Sequence, residues 1–204
     1  MMDRIADELA RSDLTTQIGK AIQSAIRHYE RRPFYFNEVR KTMSTSDGAE
    51  FYTSSDFPFI ANMPEIYSAK ITVNGGKYSL IERDWSYIDE LQSSTTHSGD
   101  PADFAYYGQK LRFWPVPDAA RDIIFSFVEK LPAASLSATT DTNYWMTEAE
   151  ELIRSRATKK LYAEVIKDPE NAAVWRESEG EALAALVGET ESRQMTGTPR
   201  PSYF

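Results

Sequence analysis

The stretch YYGQKLRFWPVPD, residues 106–118, places Tyr106, Tyr107, Phe113 and Trp114 within nine positions and then stops on Pro115-Val116-Pro117-Asp118. Its composition suits three structures: a stacking platform for nucleic acid, a pocket wall, or a hairpin that builds a fold. Apolar residues alternate imperfectly through Leu111-Arg112-Phe113-Trp114 and again through Ile123-Ile124-Phe125-Ser126-Phe127. That is the pattern of paired strands with one face buried. Pro115 and Pro117 cannot donate to a ladder, so they mark its exit. A stacking platform sets its rings in a basic groove, and this stretch lacks such company. The sequence therefore predicts an aromatic hairpin supplying its own core.

The surrounding segment reads the same way. From Phe34 to about Lys130, the runs FYFNEVRKT, EFYTSS, SAKITVNGGKYSLIE, ADFAYYGQKLRFWP and RDIIFSFVEK are β-rich and separated by Gly, Pro, Asn, Asp and Ser. Asn74-Gly75-Gly76 lies between Ile71-Thr72-Val73 and Tyr78-Ser79-Leu80, where positive φ angles come cheaply and a tight hairpin forms. Gly108-Gln109 predicts a second turn and Asp118-Ala119-Ala120 a third. Between the first two hairpins, Asp84 caps a short helix carrying Trp85, Ile88 and Leu91.

Both flanks are helical. Leu14, Ile18, Ala21, Ile22, Ala25, Ile26 and Tyr29 recur at three-and-four spacing, which predicts an amphipathic helix over 13–30, capped by Ser12 or Asp13 and ended by Pro33. A shorter helix with Ile5 and Leu9 on one side precedes it. Downstream, Thr147-Glu148-Ala149-Glu150 has the form of a capping box. It introduces a helix with Ala149, Leu152, Ile153, Ala157, Leu161 and Val165 on one face. Asp168-Pro169 stops that helix and starts another using Trp175, Ala182, Leu183 and Leu186, with Gly188 closing it. The expected fold class is α+β: N- and C-terminal helices (1–33 and 144–190) form a bundle, with a β-rich insertion over 34–130. A linker spans 131–143, and an extended C-terminal arm spans 191–204.

Composition narrows the function classes. Of 204 residues, 41% are hydrophobic, so a core can form, and the net charge is −8. Basic and acidic side chains number six and five in residues 1–32, nine and fourteen in 33–130, and eight and twelve in 131–204. No segment is basic enough to attract a phosphate backbone generally. No apolar run approaches the roughly 20 residues that span a bilayer. The charged N-terminus lacks the apolar stretch of a signal peptide. Cysteine is absent, which removes disulfides and thiolate chemistry. An intracellular folding site is expected.

Catalytic constellations are missing. His28 and His97 lie in different parts of the sequence, without metal-ligand spacing. The neighbours Asp89-Glu90 and Glu150-Glu151 point roughly 100° apart on a helix and share no site. There is no Gly-rich phosphate loop, nucleophile elbow or dinucleotide fingerprint. The sequence predicts no enzyme, cofactor or metal. One cluster merits weighing: Arg27, Arg31 and Arg32 beside Phe34 and Tyr35, with Phe36, Arg40 and Lys41 near. Charge plus stacking would suit nucleic acid, but Glu30 and Glu38 interrupt it, and basic residues at a helix C-terminus also complement its dipole. Contact with an acidic partner subunit is an equal reading.

Several pieces carry a resemblance in order over roughly residues 10–190. They are Ile26-Arg27-His28-Tyr29-Glu30-Arg31-Arg32-Pro33-Phe34-Tyr35-Phe36-Asn37-Glu38; Gly99-Asp100-Pro101 followed by Phe104-Ala105-Tyr106-Tyr107-Gly108; Phe113-Trp114-Pro115-Val116-Pro117-Asp118; and Thr142-Asn143-Tyr144-Trp145-Met146. With them the sequence resembles the head-to-tail adaptor, or connector, proteins of tailed bacteriophages. The resemblance implies a ring subunit, commonly in twelve copies, docked under the portal protein in the virion neck. It would be made in the host bacterial cytoplasm and have no membrane contact. The ring would extend the DNA channel without binding DNA specifically and present a surface to the next tail or neck protein. By position, the arm would dock on the portal through Thr198, Pro199, Arg200, Pro201, Tyr203 and Phe204. The alternatives are another neck or tail-completion protein that does not bind the portal, then an enzyme, then a DNA-binding module.

Overall fold

A computed structural model describes residues 1–94, 97–131 and 143–194. In chain order the elements are α1 (Met2–Glu8), α2 (Thr15–Tyr29), β1 (Glu38–Ser44), β2 (Phe51–Thr53), β3 (Glu65–Val73), β4 (Gly76–Glu82), α3 (Trp85–Ser94), β5 (Asp103–Tyr107), β6 (Lys110–Trp114), β7 (Asp122–Val128), α4 (Tyr144–Thr147), α5 (Glu150–Leu161) and α6 (Pro169–Gln194). A 3-10 turn, Pro58–Asn62, precedes β3, and a π turn, Tyr162–Ile166, extends α5. The mixed α+β class expected from the sequence is what forms. The chain divides into two units, Met1–Phe36 with the described part of Leu131–Phe204, and Asn37–Lys130.

In the helical unit, α2 buries the predicted stripe Ile18, Ala21, Ile22, Ala25, Ile26 and Tyr29. It meets Leu152, Ile153, Ala157 and Leu161 of α5 in one core, with Ile5, Leu9 and Leu14 from the N-terminal side. Trp145, fully buried, sets its ring edge-on to Phe34 and Phe36, with centroids 5.9 and 5.0 Å away. Phe34, Tyr35 and Phe36, which alternation assigns to a strand, thus belong to this unit's packing. An aromatic triplet fits a pleat and a helical core equally well, and Trp145 decides for the core.

Helix ends depart from expectation in four places. Asp13 does not cap α2; both its oxygens accept from Arg11 at 2.7 Å, and Leu14 takes the cap position without a side-chain bond. The capping box at Thr147 does not form. Asn143 accepts from the Met146 amide at 3.1 Å and opens α4, leaving Thr147 as its last residue and Ala149 before α5. Val165 is exposed rather than on the buried face, because the wider π turn rotates the chain past it before Lys167 closes at φ 62°. Finally, α6 passes through Gly188 and runs to Gln194, reinforced where Arg193 reaches Glu189 one turn back at 2.5 Å. Asp168 does cap α6, accepting from the Asn171 amide at 3.0 Å.

The β unit is a seven-stranded sheet in the order β1-β7-β3-β4-β5-β6-β2. All pairs are antiparallel except β4–β5, which run parallel over two residue pairs. Both predicted tight turns form. Asn74 and Gly75 sit at φ 48° and 79° between β3 and β4, and Gly108 and Gln109 at 56° and 61° between β5 and β6. The third hairpin does not. β6 pairs with β5 and β2, while β7 pairs with β1 and β3. Thr45, just past β1, explains the switch. Its hydroxyl donates to Ala119 O and accepts from the Arg121 amide, and its own amide donates to Arg121 O, each at 2.9 Å. These bonds bring the loop before β7 against the end of β1. Flanked on both sides, β7 sends Ile123, Phe125 and Phe127 into the core with Phe104, Leu111 and Phe113. The outer edges are short at β2, three residues long, and charged at β1 by Arg40 and Lys41, two devices that discourage edge pairing.

Candidate interaction surfaces

Local structure splits the basic–aromatic cluster of the helical unit. Arg27, Arg31 and Arg32 are exposed where α2 ends, whereas Phe34 is fully buried, stacked on Phe36 with centroids 5.6 Å apart. Tyr35 is half-buried. Its amide donates to Thr190 Oγ1 at 3.3 Å, its hydroxyl donates to Glu148 Oε2 at 2.6 Å, and the Arg193 guanidinium lies 3.8 Å from its ring centroid. Burial and the Glu148 carboxylate push the Tyr35 hydroxyl up to about 12. The arginines are therefore exposed, while the aromatic residues that follow them in the chain have partners of their own.

Beneath that end of α2 lies a charge node that the sequence did not single out. Glu179 on α6 is buried, 7% exposed. It accepts from the Tyr29 hydroxyl and from Arg156 Nη1, both at 2.5 Å, and from Lys159 Nζ. Burial would raise its carboxyl, but the hydrogen bonds from Lys159, Tyr29 and Arg156 outweigh it and hold the group below the usual carboxylate range. Burial and the Glu179 bond push Tyr29 up to about 12. Burial, then the Arg156 charge, lowers His28, whose ring meets Tyr29 edge-on at 4.7 Å. In the sequence, Glu179 is one of several acids in α6; only the meeting of α2, α5 and α6 sets it apart.

The β unit holds a node of opposite sign. Arg112 on β6, 6% exposed, donates to Glu50 at 2.5 Å and also to Asp89 and Gln92. Its guanidinium carbon lies 4.9 Å from the Phe51 ring centroid and 5.4 Å from that of Trp85. Burial of Leu111, Arg112 and Phe113 in succession is the clue that β6 is covered on both faces, the second by α3. Next to Trp85 is a hollow of about 530 Å³ lined by Glu82, Arg83, Asp84, Trp85, Tyr106 and Tyr107. Tyr107 there is 70% exposed, and crowding by the walls raises the Glu82 carboxyl.

The other candidates stay apart. Asp89 goes to Arg112, Glu150 to Arg4 at 2.7 Å and Glu151 to Arg154 at 3.0 Å, so neither acidic pair forms a shared site. His28 falls in the helical unit and His97 in the β unit, where it meets Trp114 edge-on at 5.6 Å. Among the described residues, no group of three or more His, Asp or Glu is placed to hold a metal ion, and no helix is long and apolar enough to cross a membrane. Thr198, Pro199, Arg200, Pro201, Tyr203 and Phe204 lie outside the described residues, as does most of the 131–143 linker.

The helical unit thus exposes Arg27, Arg31 and Arg32 where α2 ends, and the β unit exposes Tyr107 beside Glu82 and Asp84. Residues 1–201 match the SU10 adaptor protein family, and the chain belongs to that family: it is a phage adaptor protein. No curated protein matches the chain.

Proposed function

We propose that the chain is a structural head-to-tail adaptor without catalytic activity. It assembles as a ring, in twelve copies, beneath the portal protein of a tailed phage, extends the DNA channel and offers the attachment surface for the next neck or tail protein. The observation that carries this reading is family membership spanning residues 1–201. The helical unit, Met1–Phe36 with the described part of Leu131–Phe204, would form the ring body. Arg27, Arg31 and Arg32, with the neighbouring Phe34 and Tyr35 holding the chain that leaves α2, would contact the adjacent subunit. A net charge of −8 suits a wall that DNA slides past without being held. The site of action is the virion neck, after synthesis in the host cytoplasm.

The end of the chain is the proposed portal anchor, Thr198, Pro199, Arg200, Pro201, Tyr203 and Phe204. Two aromatic residues after a Pro-Arg-Pro step suit insertion into a partner's groove. Deleting Thr198–Phe204 should leave thermal unfolding unchanged and weaken binding to portal from the same phage by at least about tenfold. Unchanged portal affinity would remove the anchor, and no binding by the full chain would move the protein to another neck position.

A further inference from the structure

A second concavity sits wholly within the helical unit, a cavity of about 590 Å³ between α2, α5 with its π turn, and the start of α6. Its floor is made of small residues, Ala21 and Ala25 from α2, Ala163 from the π turn, and Ala172 and Ala173 from α6. Short side chains on all three sides leave the space open. Its walls carry five cations, Arg156, Lys159, Lys160, Lys167 and Arg176, against one lining carboxylate, Glu164. That balance is unusual in a chain with 31 acidic and 23 basic residues.

The cations are not all used internally. Glu179 holds Arg156 and Lys159. Lys160 donates to Ser24 Oγ at 2.8 Å and lies 3.9 Å from Glu164. Lys167 and Arg176 have no carboxylate partner among the described residues, and both are exposed. Surplus positive charge around an apolar floor calls for a ligand that is negative along its edges and apolar between them.

We propose that this groove docks an acidic polypeptide segment of a partner protein, with small apolar side chains on the alanine floor and carboxylates against Lys167, Arg176 and their neighbours. A DNA duplex would satisfy the rim through its phosphates but leave the floor unfilled, so a peptide is the better complement. The inference does not depend on the portal or ring reading. It concerns what the groove holds, whichever neighbour supplies it.

The test uses the full chain and a fluorescein-labelled peptide of alternating Glu and Ala, followed by fluorescence anisotropy at low and high salt. Binding should occur and weaken with salt. Lys167→Glu combined with Arg176→Glu should weaken it by at least about tenfold, since like charges then face the peptide. Ala173→Trp, which fills the floor without changing charge, should weaken it as well. Circular dichroism should show all variants unfolding at the parent's midpoint, the changed positions being exposed. Any one of four results overturns the proposal: a parent that does not bind, a charge-reversed variant that binds like the parent, an Ala173→Trp variant that does so, or a short duplex that displaces the peptide at equal charge concentration. Sedimentation of the same variants covers the remaining occupant. If they lose self-association while peptide binding persists, the groove belongs to a second copy and the proposal fails.

Discussion

The helical and β units solve the same problem with opposite signs. Among the described residues, each buries one charged side chain beside its core and surrounds it with counter-charge. In the helical unit the buried group is an anion, Glu179, held by Tyr29, Arg156 and Lys159. In the β unit it is a cation, Arg112, held by Glu50, Asp89, Gln92 and the faces of Phe51 and Trp85. The surroundings differ in wetness. The cations around Glu179 have side chains 25% and 24% exposed, whereas the carboxylates around Arg112 are 35% and 55% exposed. The more exposed partners regain hydration easily when the central charge is removed, so the anionic node should matter more to stability than the cationic one.

Core truncation sets the upper end of the scale. Trp145→Ala in the helical unit and Phe127→Ala in the β unit, both fully buried, should each cost about 3–5 kcal/mol in urea unfolding. A much smaller loss at either position would mean that its core relaxes around the gap. Below these comes Glu179→Leu, expected to cost about 3 kcal/mol because it strands partly buried cations. Arg112→Leu should cost less, about 1–2 kcal/mol, and a larger loss there than at Glu179 would reverse the comparison.

Acid sharpens the contrast. The Glu179 carboxyl is held below its ordinary value of 4.5. Its contribution is therefore fully present above that value and is lost as pH falls through the lower folded-state value. A Glu179→Gln variant should lose less stability than the parent between pH 5 and pH 3, measured by thermal unfolding; equal acid sensitivity would count against the node. Smallest is Arg193→Ala. With its side chain 55% exposed, the guanidinium over Tyr35 is screened by solvent, and its removal should leave the thermal unfolding midpoint nearly unmoved.

Local signals were legible in the sequence, and long-range ones were not. The α2 stripe from Ile18 to Tyr29 and the turns at Asn74-Gly75 and Gly108-Gln109 rest on neighbours a few residues apart, and all three form. The partner of β7 does not rest on neighbours. Thr45 anchors the loop before it by reaching Ala119, 74 residues away, so a hairpin drawn at Asp118 had no local reason to fail. Arg112 looked like the polar residue of an alternating strand because α3, which covers it, lies some twenty residues earlier in the chain. The arginines at 27, 31 and 32 were visible as a cluster. What Tyr35 meets was not, since its partners Glu148, Thr190 and Arg193 lie far along the chain. The cationic groove escaped for the same reason: its alanines and cations come from three helices spread between residues 21 and 176.

The measurement that bears most directly on the adaptor reading is electron microscopy of the purified chain mixed with portal from the same phage, with each alone as control. Rings capping the portal, their symmetry visible in projection, are the predicted result. A portal that stays bare beside a folded, monodisperse chain would contradict it.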